Sequence, residues 1–282
     1  MSDDKTPALV ELSDALRALE EVNPRRLAGR VTEVTGLLVR ACIPGVRVGE
    51  LVYLDVEAMP GRDHTRLQAE VVGFRGDEVV LMPLGDVTGI GPDAVVSPTG
   101  RPLSLHVGPG LLGRVLDGLG RPMDGQGPLR GPSEEWAVER AAPDPLSRRR
   151  VSQPLALGVR ALDAFVTLGE GQRIGLFAGS GVGKSTLLGQ IARNTEADVN
   201  VICLVGERGR EVTEFLDDAL GEAGRARSVV ICATSDAPSL VRLKSALVAT
   251  AVAEWFRAQG KRVLLMMDSL TRVARAQRVR LS

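Results

Sequence analysis

Aromatic residues are scarce in this chain. Two tryptophans, one tyrosine and five phenylalanines make up 3% of its 282 residues, too few for a protein that stacks successive single-stranded bases on aromatic faces. No sign of charge predominates. The 35 basic and 35 acidic side chains cancel, so no overall field draws the chain to nucleic acid or to an anionic membrane surface. No apolar run approaches the roughly 18 residues that a spanning helix needs. The opening stretch, MSDDKTPALVELSDALRALEEV, lacks the basic segment and following apolar segment of a secretory signal. These absences predict a cytoplasmic protein, peripheral at a membrane at most. Cysteine is equally rare. Cys42, Cys203 and Cys232 lie far apart, form no metal-ligand spacing, and read as small buried hydrophobes in a reducing compartment.

What is present is the composition of a folded globular protein, 44% apolar and 25% charged. Glycine is in excess. Its 32 residues are about 11% of the chain, against a usual share of roughly 7%, which predicts tight turns or phosphate-cradling loops.

Residues 1–26 read as an N-terminal amphipathic docking helix. Leu9, Leu12, Leu16, Leu19 and Val22 fall on one face, Glu11, Asp14, Arg17, Glu20 and Glu21 on the other, and Pro24 ends the pattern. Such a face packs either on its own domain or on another protein. Residues 27–98 hold about six short Val- and Leu-rich segments broken by Gly, Pro and Asp, which predicts a small β-barrel. Only Tyr53 and Phe74 supply aromatic faces there. Residues 99–155 are rich in loop formers and include the basic triplet Arg148–Arg150, read as a solvated linker. From residue 172 apolar strands and helices alternate. Strands are expected at Arg173–Phe177, Asn200–Val205, Ser228–Ala233 and Arg262–Asp268, and helices at Lys184–Asn194, Arg210–Ala223 and Ser239–Ala258. The predicted fold is α/β: a barrel, then a RecA-like P-loop domain over 99–282 with a mostly parallel sheet and helices on both faces.

The strongest chemical signal is Ala178-Gly179-Ser180-Gly181-Val182-Gly183-Lys184-Ser185-Thr186, between an apolar strand pattern and a helix pattern. This is the P-loop spacing with Ala at the usual first glycine. Glycines let backbone N–H groups turn around phosphate oxygens, and the helix N-terminus favours negative charge. Lys184 is placed to reach the β- and γ-phosphates, and the Ser185 hydroxyl to ligate Mg²⁺. A second magnesium anchor is expected at Asp268, which ends the apolar run Arg262–Met267 at the strand end where α/β sheets bind ligands. Hydrolysis also needs a group that orients or deprotonates water. Glu207 stands just past the strand Asn200–Val205 and is the expected catalytic carboxylate. Arg208 is a candidate for stabilising γ-phosphate charge, and Glu211 for holding a magnesium-bound water; a salt-bridged helix start is the competing account of Glu211 and Arg210.

The segments GEGQRIGLFAGSGVGKSTLL, VGERGREV and RVLLMMDSLTRVARAQR resemble the ATPases of type III secretion systems, relatives of the flagellar export ATPase and of the catalytic subunits of F-type ATP synthase. GRVTEVTGLLVRACIPGVRVGELVYL and LLGRVLDGLGRPMDG resemble that family's barrel and the loop after it. PGVRVGEL favours the secretion branch. The resemblance implies a homohexamer with ATP bound between subunits and Mg²⁺ as cofactor. It assigns phosphate contacts to Gly179–Thr186, magnesium to Ser185 and Asp268, and water activation to Glu207, with Arg208 and Arg272 near the γ-phosphate. The implied partners are a stator-like regulator at the N-terminal helix, a central stalk, export-gate proteins and chaperone–effector complexes, with the protein peripheral at the inner membrane.

Members of that family continue well beyond the equivalent of Asp268, so the P-loop domain is expected to be incomplete at its C-terminus, without a neighbour-reaching arginine. Residues 1–282 alone are then expected to bind ATP weakly and hydrolyse it negligibly. The alternative functions are flagellar export, a proton-translocating F-type ATPase, a hexameric RNA helicase, and an inactive nucleotide-binding remnant. Few aromatics and a barrel without an excess of basic residues count against the helicase.

Overall fold

The computed structural model describes residues 27–56, 64–179 and 181–281, with side chains through Arg278. The helix expected at 8–22 and the P-loop Ser180 lie outside the described residues.

Six strands close the expected barrel. They are β1 (Gly29–Thr35), β2 (Leu38–Cys42), β3 (Glu50–Val56), β4 (Thr65–Arg75), β5 (Glu78–Pro83) and β6 (Val95–Pro102), in the order β1-β2-β5-β4-β3-β6. Alternation does the folding. In β3, Val52, Leu54 and Val56 point inward at 0–1% exposure, and Tyr53 and Asp55 take the other side, each only partly buried. Full closure leaves the barrel without free edges. Cys42, at the end of β2, is exposed. This corrects the expectation of three buried cysteines: at the strand end its side chain falls on the outward register while Ala41 takes the inward one.

The loop-rich stretch carries more order than its composition suggests. β7 (Ser104–Val107) pairs with β9 (Glu134–Ala137), and between them β8 (Val115–Asp117) joins the main sheet beside a later strand. The buried pair Arg114–Asp124, with Nε–Oδ2 at 2.7 Å, closes the glycine-rich loop after β8. The Arg148–Arg150 triplet is exposed, as its reading as a linker requires. Two short strands, β10 (Pro154–Leu155) and β11 (Leu168–Gly169), flank the short helix α1 (Arg160–Phe165).

The main sheet runs β14-β12-β13-β8, all parallel, with β12 (Val199–Val205), β13 (Ser228–Ala233) and β14 (Val263–Asp268). β12 is central and buried at all seven residues, which is why it reads as an unbroken apolar run. Its odd and even residues serve two cores. Val201, Cys203 and Val205 pack with Val229, Ile231 and the long helix α5 (Ser239–Ala258). Ile202 and Leu204 pack with Val230, Met266 and α2 (Lys184–Asn194). The helix expected at Arg210–Ala223 is α3 (Gly209–Glu214) followed by a π-helical turn, Phe215–Leu220, and α4 (Gly221–Ala226). α6 (Leu270–Leu281) follows β14. No described helix is long and apolar enough to cross a membrane.

A second expectation fails. Residues 173–177 form no strand; Ile174 is 41% and Phe177 99% exposed. A strand exists through its partners, and none of the described strands pairs with this segment, although Leu176 packs against the core of Ile202, Leu204 and Met266. β14 pairs only with β12, so the four-stranded sheet stops at β14.

Candidate functional site

The parallel strands deliver their C-terminal ends to one edge. In register, Leu204 stands opposite Asp268, and Val205 opposite Ala233. Gly206 N–H donates to the Ala233 carbonyl at 2.6 Å, and Ser235 N–H to the Glu207 carbonyl at 3.0 Å. Glu207 therefore leaves β12 held to the neighbouring strand's exit loop.

The P-loop meets this edge at Lys184, which follows Gly183. Gly181 at φ 76° and Gly183 at φ 90° occupy the left-handed region, which a side chain would disfavour. A Cβ at Gly179, Gly181 or Gly183 would meet nothing within 4 Å, so these three glycines are not packed against other parts of the chain. Gly183 is the N-cap of α2, whose first residue is Lys184. Ser185 and Thr186 are exposed in its first turn.

Two cation–carboxylate pairs meet here. Lys184 Nζ lies 2.5 Å from Asp268 Oδ1, with Asp268 at 4% exposure. Arg272 Nη1 lies 2.5 Å from Glu207 Oε1. Burial raises the Glu207 carboxyl above its ordinary range; its bond from Arg272 opposes the rise, and the hydrogen bond with Glu211 and the charge of Asp268 add to it. Glu211 moves the other way, held low by its hydrogen bond with Glu207 and by the Arg208 N–H.

The expected residues thus divide. Lys184, Asp268 and Glu207 converge at the strand ends, with Ser185 one residue into the helix. Glu211 serves the start of α3: its Oε2 accepts the Arg208 N–H at 3.2 Å, and Arg208 Nη1 lies 3.9 Å from its Oε1. Arg208 is directed outward, its side chain 67% exposed. Among the described residues no three His, Cys, Asp or Glu side chains are grouped to hold a metal. A magnesium ion held by one carboxylate, a hydroxyl and substrate phosphates needs no such group.

Sequence reasoning missed the buried Lys244 on α5. It pairs with Glu70 of barrel strand β4 and, at 2.5 Å, with Glu139. A lysine inside an apolar 20-residue helix was the available signal.

The comparisons with known proteins agree with this architecture. The beta-barrel domain of the ATP synthase alpha/beta family matches residues 31–100, and the nucleotide-binding domain of the same family matches residues 158–279. A type 3 secretion system ATPase of Xanthomonas euvesicatoria is 53% identical over 264 residues, 93% of this chain and 58% of its own length. A flagellum-specific ATP synthase of Bacillus subtilis is 45% identical over 274 residues, 97% of this chain and 60% of its own. Among solved structures, the assembled ATPase EscN in complex with its central stalk EscO, from the type III secretion system of enteropathogenic E. coli, superposes with a TM-score of 0.79 at 45% identity over 89% of this chain and 60% of that one. The chain therefore spans 58–60% of the length of these relatives. With the barrel and the nucleotide-binding domain matched in the family's order, the chain belongs to the ATP synthase alpha/beta family.

Proposed function

We propose that this chain is part of an Mg²⁺-dependent ATPase whose hydrolysis energises type III protein secretion. The observation that carries the proposal is the meeting of Lys184 and Asp268 at the strand ends, 2.5 Å apart, in front of an open glycine turn. These residues fit a magnesium nucleotide. Left-handed glycines at 181 and 183 lead into the first turn of an eleven-residue helix, and a helix N-terminus suits phosphate. Carboxylate and hydroxyl oxygens suit a hard cation.

Ala178–Thr186 wrap the phosphates, and Lys184 supplies the cation on the β- and γ-phosphate oxygens. Ser185 and Asp268 would hold Mg²⁺, which when bound would offset phosphate charge. Glu207 accepts a proton from the attacking water, and its burial makes it a better base than an exposed glutamate. Glu211 holds Glu207 in place from the start of α3 and would hold a magnesium-bound water. Arg208 supplies a further cation at the rim.

The complete protein acts as a homohexamer on the cytoplasmic side of the inner membrane, contacting a central stalk, export-gate proteins and chaperone–effector complexes. The segment before residue 27 docks a stator-like regulator. The secretion reading is supported by the identity to secretion-system relatives. Flagellar export is the second reading, supported by the flagellum-specific relative at 45% identity.

Glu207→Gln in the full-length protein tests the chemistry. Nucleotide should still bind, while turnover falls by about two orders of magnitude or more. Turnover near the unsubstituted rate would assign water activation to another residue.

A further inference from the structure

We propose that Arg272 is a positioning residue that latches Glu207, and that a terminal phosphate releases Glu207 by taking the guanidinium away. The inference rests on the nucleotide site proposed above and deepens it.

Arg272 stands in the first turn of α6, four residues beyond Asp268, its own N–H bonded to the Ser269 carbonyl at 3.0 Å. Its backbone is therefore tied to the end of β14. Its side chain crosses Gly206 to reach β12. Gly206 has φ +70°, which favours glycine, and a Cβ there would lie 2.9 Å from Arg272 Cδ and displace the arginine stem. At the far side Nη1 makes the 2.5 Å ion pair with Glu207 Oε1 and a 3.4 Å bond to the Val205 carbonyl. The Glu207 side chain is 15% exposed and Arg272 36%. Among the described residues, Nε and Nη2 of Arg272 record no hydrogen bond, so the guanidinium has donors left for an anion.

The neighbouring pair has the same form, Lys184 on Asp268. The edge thus holds two cations, each balanced by a carboxylate of its own chain. A phosphate chain brings more negative charge and more acceptor oxygens than one carboxylate, and guanidinium groups bind phosphate in bidentate fashion. The carboxylate that loses its arginine is the one that must then accept a proton from water. No bond is made or broken in this step. One ion pair is exchanged for another, and Glu207 is free only when an anion occupies the turn's far end.

Competition of this kind has a signature in binding, apart from turnover. Removing the Glu207 charge should free Arg272 and favour the nucleotide that carries the extra phosphate. Affinities for ADP and for a non-hydrolysable ATP analogue, each as a fluorescent derivative, would be measured on the full-length protein. Glu207→Gln should raise the preference for the ATP analogue about tenfold, the scale of one charge-assisted hydrogen bond. In an Arg272→Met background, which keeps an aliphatic stem over Gly206, the same change should leave the preference unmoved. Arg272→Lys should restore part of the effect, and it replaces the methionine variant if that protein fails to fold by circular dichroism. An equal rise with and without Arg272 would overturn the latch, as would no rise in either. If the unsubstituted protein binds neither nucleotide, the nucleotide site itself is wrong and the latch falls with it.

Discussion

Lys184 and Asp268 stand 84 residues apart in the chain, yet Nζ and Oδ1 are 2.5 Å apart. The pair ties the first residue of α2 to the last residue of β14. Lys184→Ala removes a phosphate-binding cation and should weaken Mg·ATP binding about 10–100-fold, the range for a charge-assisted hydrogen bond. It also strands a buried carboxylate, which should cost about 1–3 kcal/mol of stability. Adding Asp268→Asn should return part of the stability and none of the binding. Nucleotide titration and urea unfolding separate the two effects, and unchanged affinity would refute the P-loop assignment.

With Glu207 as the proposed base, its raised carboxyl should set the acid limb of activity. Turnover on that reading requires the ionised form, so activity should fall on acidification at a higher pH than an exposed glutamate, near about 4.3, would give. For stability the sign is the reverse of the common carboxylate case. A folded-state value above the unfolded one contributes stability below the unfolded value, and loses it as pH rises through the folded value. A pH–rate profile of the full-length protein is the check. A limb at the ordinary glutamate position would show that burial does not tune this group.

Asp124 behaves in the opposite sense. Its hydrogen bond from Arg114 leads the causes that hold its carboxyl far below the ordinary range, and the Val115 and Gln126 N–H groups assist. The stability it contributes is present above the unfolded value near about 3.9 and is lost as pH falls toward its folded value. Asp124→Ala would take the carboxylate from the buried Arg114, which keeps only the Gly127 and Pro128 carbonyls, and would leave the Val115 N–H without its acceptor. We expect a loss of about 3–5 kcal/mol in urea unfolding at neutral pH. A loss under about 1 kcal/mol would mean that the loop after β8 repacks around the guanidinium.

The three cysteines should separate cleanly by reactivity. Burial pushes the Cys203 thiol up to about 12 and the Cys232 thiol up to about 11, so neither supplies thiolate near neutral pH. Cys42 is exposed. A maleimide should modify one thiol in the native protein and three after denaturation, counted by mass spectrometry. Early labelling of Cys203 would mean that the sheet opens.

Much of the site was legible because its signals are local. Glycines at fixed steps before Lys184 specify the turn, and a carboxylate ending an apolar run places Asp268. Glu207 followed from standing just past such a run. What was not legible depends on distant partners. Residues 173–177 have the composition of a strand, but pairing needs a neighbour that no propensity supplies. Val115–Asp117 is too short for a period to register, and it joins the sheet only because β13 offers an edge. The Arg272 pairing with Glu207 follows from the path of α6 over Gly206, which no spacing encodes. The barrel, by contrast, needs only alternation and turns, and both are written along residues 29–102.

Leu51, Met82 and Leu84 come from the barrel, yet they belong to the same buried cluster as Val248, Val252 and the sheet residues Val201 and Ile231. Lys244 and Glu70 add a charged fastening within that seam. The barrel therefore has no surface of its own on this side to present to water. Excised, it would bare three large aliphatic side chains and a carboxylate without its lysine. Heat or denaturant should then take both parts of the chain through a single cooperative transition, because neither owns the whole of the core that it helps to build.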